Sequence, residues 1–259
     1  MLKIERQKKI EEYLHLYGSI LISDMSQKLD CSEETIRRDL REMEKDSKLI
    51  KIHGGAFLPE SDDKGAPQQL RETIFSEKKE NLANYTINHF IKDNDTIMLD
   101  CSTTCLALAK QLLYSNIKVT IITNSLRIFN LFDQQLHNLK LIALGGTFRQ
   151  RSNSFVGYQT TDTIKHLISD KCFISCSAID IKHGLIDNNM SEAQVRKSYI
   201  YQSRKRFLIA DHTKFSDTAD YIINDLTCID AIITDKKLSE EWQNKINELN
   251  IPIYFGNES

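Results

Sequence analysis

Proline and glycine are scarce, at three and nine among 259 residues, which excludes a collagen-like repeat or a Pro/Gly-rich disordered chain. No stretch approaches the roughly 18 consecutive apolar residues of a membrane-spanning helix. The start, Met1-Leu2-Lys3-Ile4-Glu5-Arg6, is interrupted by charge too early for a secretory leader, so a cytoplasmic protein without membrane contact is expected. Neither sign of charge dominates: 34 Lys and Arg stand against 36 Asp and Glu, a net charge of -2 that does not advertise a nucleic-acid partner. The six cysteines form no Cys-x-x-Cys and have no histidine at zinc-finger spacing, so no metal site is expected and a reducing compartment fits. The pairs Cys101/Cys105 and Cys172/Cys176 read most simply as small apolar fillers. A Gly-x-Ser-x-Gly elbow and a Walker loop are also missing.

What is present is a 41% hydrophobic chain, long enough for one or two domains with real cores. From Ile4 to Tyr17 the apolar positions Ile10, Tyr13, Leu14 and Tyr17 recur at helical spacing, and Gly18 stands where a C′ residue would. A short β-prone run, Ser19 to Ile22, precedes a second brief helix expected to start at Ser23, with Met25 and Leu29 inward and a turn at Asp30-Cys31.

The third helix organises this half of the chain. Ser32 is a good N-cap, Glu33 and Glu34 suit the positive end of the dipole, and arginines follow at Arg37, Arg38 and Arg41. Ile36, Leu40 and Met43 fall on one face, and Glu34, Arg38 and Arg41 fall opposite, with Thr35 and Arg37 to either side. Two short helices joined by a tight turn make a helix-turn-helix, and arginine forks match phosphate oxygens and guanine edges. An ordinary solvated helix face would read similarly, because residues 1–56 hold 11 basic against 11 acidic side chains. After Met43, the run Leu49 to Phe57 broken by Gly54-Gly55 reads as a hairpin, and a hairpin directly after a recognition helix is a wing. Lys51 and His53 alternate with Ile50 and Ile52, so the polar positions are expected to face phosphate and the apolar ones the core.

Residues 58–76 carry two of the three prolines among polar side chains and are expected to link residues 1–57 to a larger domain at 77–259. A long helix is expected through Phe75, Leu82, Ile87 and Phe90, with Glu77-Lys78-Lys79 exposed. From Thr96 the texture becomes short apolar runs alternating with helical stretches: Thr96–Leu99, Val119–Ile122, Leu141–Leu144, Cys172–Cys176, Phe207–Ala210, Ala231–Ile233 and Ile253–Phe255. That alternation means α/β units on a mostly parallel sheet. Loops after such strands gather at the carboxyl edge, where ligands bind. Here they read Asp100-Cys101-Ser102-Thr103-Thr104, Thr123-Asn124-Ser125, Gly145-Gly146-Thr147, Asp211-His212-Thr213-Lys214 and Thr234-Asp235. Helix starts at Ser102-Thr103-Thr104 and at Ser125 supply free N–H groups for an anion, Asp100 and Asp211 can accept from hydroxyls, and Lys214 can pair with phosphate. A phosphorylated sugar or polyol fits; the plainer reading of each loop alone is an N-cap.

Two sets of motifs carry a resemblance. The Ser32-x-x-Thr35-Ile36-Arg37-Arg38-Asp39-Leu40 helix and the Ile52-His53-Gly54-Gly55-Ala56 wing resemble those of the DeoR/GlpR family of bacterial repressors. The loops at Asp100, Thr123-Asn124-Ser125, Leu144-Gly145-Gly146, Gly184-Leu185, Glu192-Ala193 and Asp211 to Phe215 follow the order of that family's sensor domain, over nearly the whole chain from Ile4 to Tyr254. The resemblance implies a winged helix-turn-helix followed by a larger α/β domain like ribose-5-phosphate isomerase in fold. It also implies a repressor of a carbohydrate-utilisation operon, controlled by a phosphorylated sugar and working as a homo-oligomer, dimer or tetramer, on double-stranded operator DNA. Expected DNA contacts are Thr35, Arg37 and Arg38 at bases or nearby phosphates and Ser32, Arg41, Lys51 and His53 at the backbone. Carried over by position, Asp100, Thr103, Thr104, Thr123, Asn124, Ser125, Gly145, Gly146, Glu192 and Lys214 become effector-site candidates.

Three positions depart from the family pattern. Ser102 replaces a usual glycine, Ser177 stands where a carboxylate is usual, and Arg196 replaces a common lysine, keeping the charge and gaining a fork. Ser102 and Arg196 are counted with the effector candidates. The alternative is a phosphosugar isomerase with Asp100, Glu192 or Asp211 as general base, which the missing carboxylate at Ser177 disfavours. No catalytic residue and no cofactor are therefore expected.

Overall fold

In the computed structural model, which describes residues 1–46, 49–52, 54–58, 68–73, 75–132, 138–216 and 219–256, the first periodic stretch forms helix α1 (Lys3–Tyr17). It ends as expected: Gly18 takes a left-handed φ of 73° and donates its N–H to the Leu14 carbonyl at 2.7 Å. Strand β1 (Ser19–Leu21) leads into α2 (Ile22–Lys28). The expected cap at Ser23 is not formed; Leu21 occupies the N-cap position, and Ser23 lies inside the helix with its hydroxyl 3.4 Å from Asp24. The β-prone run simply passes into the helix, so no polar cap precedes it.

Helix α3 (Glu33–Lys45) starts at Ser32 and is followed by the hairpin β2 (Ile50–Ile52) and β3 (Gly55–Phe57). The strands form an antiparallel sheet in the order β1-β3-β2. Its core joins Ile10 and Leu14 of α1, Ile22 and Met25 of α2, and Ile36 and Leu40 of α3. A further helix, α4 (Gln68–Thr73), lies within the stretch expected as linker and buries Leu70. Gly55 makes room for it: a Cβ there would meet the Ile20 carbonyl oxygen at 2.3 Å and Leu70 Cδ2 at 2.5 Å. Two compact units result, Met1–Phe75 and Ser76–Ser259.

In the second unit the elements run α5 (Ser76–Phe90), β4 (Asp95–Leu99), α6 (Thr103–Leu113), β5 (Val119–Thr123), α7 (Leu126–Phe129) and β6 (Leu139–Ala143). A hairpin of β7 (Thr147–Arg149) and β8 (Ser154–Val156) precedes α8 (Tyr158–Lys165), β9 (Ser169–Ile174), β10 (Ala178–Asp180), β11 (Gly184–Asp187) and α9 (Met190–Tyr201). The chain closes with β12 (Ser203–Ile209), β13 (Tyr221–Asn224), β14 (Ala231–Thr234), α10 (Glu240–Glu248) and β15 (Ile253–Phe255). All seven apolar runs become strands of one parallel sheet, ordered β15-β14-β12-β9-β4-β5-β6. The hairpin β7-β8 and the small antiparallel sheet β10-β11-β13 were not foreseen; their strands are three or four residues long and lie outside the seven apolar runs.

Burial on both faces explains why these runs are continuously apolar rather than alternating. Met98, Cys172 and Leu208 pack with Val195 and Tyr199 of α9 and Trp242 of α10. Their chain neighbours Ile97, Phe173 and Ile209 pack on the opposite side with Leu82 and Ile87 of α5 and Leu108 of α6. Helix α5 differs from expectation at its start, where Phe75 stands outside with φ 54° and Lys79 is buried instead of exposed. Among the described residues no helix is long and apolar enough to cross a membrane.

The strand order reverses between β4 and β9: the chain moves outward through β5 and β6 on one side and through β12, β14 and β15 on the other. Loops leaving the carboxyl ends of β4 and β9 therefore diverge and open a crevice, the position where α/β sheets bind ligands.

Candidate functional site

Helix α3 is built as its sequence predicts. Ser32 is extended, with φ -67° and ψ 149°, and its Oγ accepts the Thr35 N–H at 3.2 Å. The buried face is Ile36, Asp39, Leu40 and Met43. Asp39 is the surprise, since it is fully buried and bound by both Nε and Nη2 of Arg6 from α1, the latter at 3.2 Å. The carboxylate raises the Arg6 pKa through hydrogen bonding, outweighing the opposite effect of burial. This buried fork ties α1 to the back of the recognition helix.

The arginines lie on the open side. Arg37 Nη2 donates to Glu33 at 2.6 Å, and its Nη1 lies 3.9 Å from Glu34; Arg41 Nη2 reaches Glu34 at 3.3 Å. Their side chains remain 40% and 53% exposed, so these are surface pairs of about 0–1 kcal/mol that a phosphate can replace. Arg38 is exposed and makes no hydrogen bond or ion pair among the described residues. Thr35 is half-buried, and its Oγ1 lies 2.9 Å from that of Ser32. In the wing, the Lys51 N–H donates to Glu44 at 2.9 Å, fastening β2 to the end of α3. The expected alternation is not realised: Ile50, Lys51 and Ile52 are all half-buried, because a three-residue edge strand is packed on neither side completely. His53 lies outside the described residues.

At the crevice of the second unit, Asp100 follows β4 and is almost wholly buried. Its Oδ1 accepts the Ser102 N–H at 2.9 Å, and its Oδ2 accepts the Ser175 N–H at 3.1 Å and Arg196 Nε at 2.7 Å. One carboxylate thereby spans the point where the strand order reverses. Arg196 projects from α9, donates from Nη1 to Asp187 at 2.6 Å, lies 3.7 Å from Glu192, and approaches the Cys101 sulfur through Nη2 at 3.6 Å. Glu192 Oε1 accepts the hydroxyls of Ser152 and Ser154, each at 2.6 Å, and its Oε2 accepts the Cys101 thiol at 3.0 Å. Burial alone would raise the Glu192 pKa; Arg196 first, then the thiol and the hydroxyls, bring it below its ordinary value. Burial likewise pushes the Cys101 thiol well up, which keeps it a hydrogen donor.

The loop after β5 joins the same cluster. The Thr123 hydroxyl accepts the Ser125 N–H at 3.1 Å, and the Asn124 side chain donates to the Phe155 carbonyl at 2.9 Å and accepts from the Tyr199 hydroxyl at 3.2 Å. Ser125 caps α7 and bridges to Ser154, which reaches Glu192. The plainer reading holds for three hydroxyl or carboxyl groups: Ser102 caps α6 through the Cys105 N–H, Ser125 caps α7, and Asp211 caps a short turn through the Thr213 N–H. Thr103 and Thr104 differ. They form the first turn of the eleven-residue α6, only 7% and 4% exposed, and their hydroxyls have no hydrogen-bond partner among the described residues. At that position their N–H groups lack intrahelical acceptors, which leaves an anion seat.

Gly145 and Gly146 are more open to solvent. Gly146 has φ 146°, and a Cβ on it would lie 2.1 Å from Thr160 Oγ1 and 2.7 Å from the Val156 oxygen, so this glycine is needed for close passage of the chain. Lys214 is half-buried, and its charge acts on the Cys176 thiol of the β9 loop. Sequence reasoning overlooked Asp187, Cys101, Ser152, Ser154, Ser175 and Tyr199. Asp187 could have been suspected: Ser177 Oγ donates to it at 3.1 Å, so the carboxylate absent at Ser177 comes from the neighbouring strand β11. All six cysteines are free thiols, and burial raises Cys172 and Cys176 to about 12, as expected of apolar fillers. No group of His, Cys, Asp and Glu suited to a metal occurs among the described residues.

A winged helix-turn-helix with its arginines outward, on the same chain as a parallel-sheet α/β unit with a polar crevice, defines a two-part DNA-binding regulator. Residues 6–62 match the DeoR-like helix-turn-helix domain and residues 74–236 the DeoR C terminal sensor domain. The chain belongs to the DeoR family of transcriptional regulators. It is 34% identical over 239 residues to the HTH-type transcriptional regulator YulB of Bacillus subtilis (strain 168), covering 92% of this chain and 91% of that one. It is 30% identical over 236 residues to the glycerol-3-phosphate regulon repressor of Escherichia coli (strain K12), covering 91% and 92%. Among solved structures, a D-ribose-5-phosphate isomerase is 18% identical, with a TM-score of 0.39 over 55% of each chain.

Proposed function

We infer that this regulator is a repressor of a carbohydrate-utilisation operon, that residues 1–57 hold operator DNA, and that residues 77–259 sense a phosphorylated sugar. It works in the cytoplasm as a homo-oligomer that places recognition helices on repeated half-sites. Arg38, Arg37 and Thr35 face bases or adjacent phosphates; Ser32, Arg41, Lys51 and His53 hold the backbone. The observation that carries the sensing role is the first turn of α6, where the little-exposed Thr103 and Thr104 have hydroxyls with no hydrogen-bond partner among the described residues, beside N–H groups that lack intrahelical acceptors. A phosphoryl group is the ligand chemistry that uses both. Asp100, Ser102, Thr123, Asn124, Ser125, Gly145, Gly146, Glu192, Arg196 and Lys214 are assigned to the same effector site. Effector binding shifts the protein between states of different operator affinity, which takes about 1–3 kcal/mol of coupling.

An isomerase reading finds little support. Asp100, Glu192 and Asp211 each already accept two or more hydrogen bonds, so a free general base is lacking among them. The deciding experiment is a thermal-shift screen against phosphorylated sugars, paired with operator mobility shifts. A ligand at about 100 times its Kd adds roughly 2.7 kcal/mol, and the same compound must change operator affinity. Absence of any stabilising phosphorylated sugar, or steady aldose-ketose phosphate conversion by the purified protein, would overturn the proposal.

A further inference from the structure

Glu34 is an odd residue to find on a surface meant for a polyanion. It sits in the first turn of α3, opposite Ile36, Leu40 and Met43, with its side chain 67% exposed. One oxygen holds Arg41 at 3.3 Å and the other lies 3.9 Å from Arg37, whose hydrogen bond goes to Glu33 at 2.6 Å, so Glu34 is the carboxylate that holds Arg41 and adds to the hold of Glu33 on Arg37. Arg38, between them in sequence, makes no hydrogen bond or ion pair among the described residues.

The geometry points to Glu34 as a specificity-determining carboxylate that keeps Arg41, and together with Glu33 also Arg37, from settling on arbitrary duplex and releases Arg41 where the major groove offers it a cytosine amino group. This rests on the reading of α3 as the DNA-contacting helix. Residues in the amino-terminal turns of a recognition helix reach base edges. When Arg37 and Arg41 move to phosphate or guanine, Glu34 loses its counter-charges and faces the duplex as a bare anion. Most edges it then meets repel it: guanine shows two acceptors, and the adenine amino group stands beside the acceptor N7. Cytosine presents N4–H donors with no acceptor beside them on that base, so it alone compensates the carboxylate fully. On other sequences the arginines stay partly paired with Glu34, and binding is weaker. Selectivity thus arises from a penalty on wrong sequences as much as from attraction to the right one.

In vitro selection from a random-sequence duplex library, run with the full-length wild type, Glu34→Gln and Glu34→Ala, tests this. Wild type is expected to enrich sequences with one cytosine constant in each half-site, and both variants to lose that constancy while retaining the rest of the motif. On a scrambled duplex both variants are expected to bind about two- to fivefold more tightly, with a logarithmic salt slope steeper by about 0.9 from one added phosphate contact. Circular dichroism equal to wild type shows that the Ser32-capped helix persists. The same constant cytosine in all three proteins, or unaltered scrambled-duplex affinity and salt slope in the variants, overturns the role of Glu34. A wild type that enriches no sequence at all overturns the DNA-contact reading of α3 instead.

Discussion

Replacing Arg196 by methionine tests the electrostatic organisation of the crevice. The methionine retains most of the stem volume, so the change removes charge and hydrogen bonds with little cavity. Asp100 and Asp187 lose their 2.7 and 2.6 Å partners, and Glu192 loses a charge 3.7 Å away, keeping Arg149 only at 4.0 Å. Removing one member of a buried ion pair costs about 3–5 kcal/mol. At about 2–4 °C per kcal/mol for a unit of this size, the melting temperature should fall by roughly 6–20 °C. The loss should also depend on pH. In the wild type the Glu192 pKa is depressed, so its contribution is complete above the unfolded carboxyl value and is lost only as pH falls through the folded one. Without Arg196, burial is the leading influence and raises that pKa, so the variant protonates earlier and its deficit narrows on acidification. Calorimetry of both proteins between about pH 8 and about pH 5 measures this. A loss of less than about 1 kcal/mol, or a deficit that grows as pH falls, would refute the assigned network.

Asp39→Ala leaves Arg6 buried without its partner, and should destabilise the first unit by about 3–5 kcal/mol while the second unit retains its hydrogen-exchange protection; equal protection in both units would contradict this. Ser32→Ala removes the cap of α3 and should cost about 1 kcal/mol in denaturant titration, and an unchanged midpoint would remove that role. Arg38→Ala should weaken operator binding by about 1–3 kcal/mol in mobility shifts without affecting stabilisation by an effector, and undiminished affinity would exclude Arg38 from the interface.

Legibility followed the range of the physics involved. The Ser32 cap, the Gly18 stop and the apolar faces of α1 and α3 arise within a few residues along the chain, so spacing and side-chain type were enough to read them. Each of the seven apolar runs became a parallel strand for a related reason: burial on both faces demands unbroken hydrophobicity, which is visible in one dimension. Local reasoning failed where context intervened, at Ser23, where the helix begins earlier, at Lys79, which is buried, and in the wing, whose short edge strand does not separate its faces.

The crevice divides in the same way. Asp100 and Ser102 could be singled out by their chemistry at a strand end and Glu192 and Arg196 by the family resemblance, but sequence says nothing about which oxygen meets which nitrogen across the 96 positions separating Asp100 from Arg196. The order of the strands, reversing between β4 and β9, brings those two together, and the short strand β11 supplies the carboxylate that Ser177 lacks. Likewise Arg6 and Asp39 are 33 positions apart, and only the packing of α1 against α3 turns a surface-type residue pair into a buried fork. Sequence alone determined the helix-turn-helix, the seven strands of the central sheet, the outward arginines and the chemistry offered at the strand ends, because these depend on neighbours along the chain. Tertiary structure decided which charges are buried, which are saturated and which hydroxyls are left open, because a charge out of water persists only where distant parts of the chain meet to compensate it.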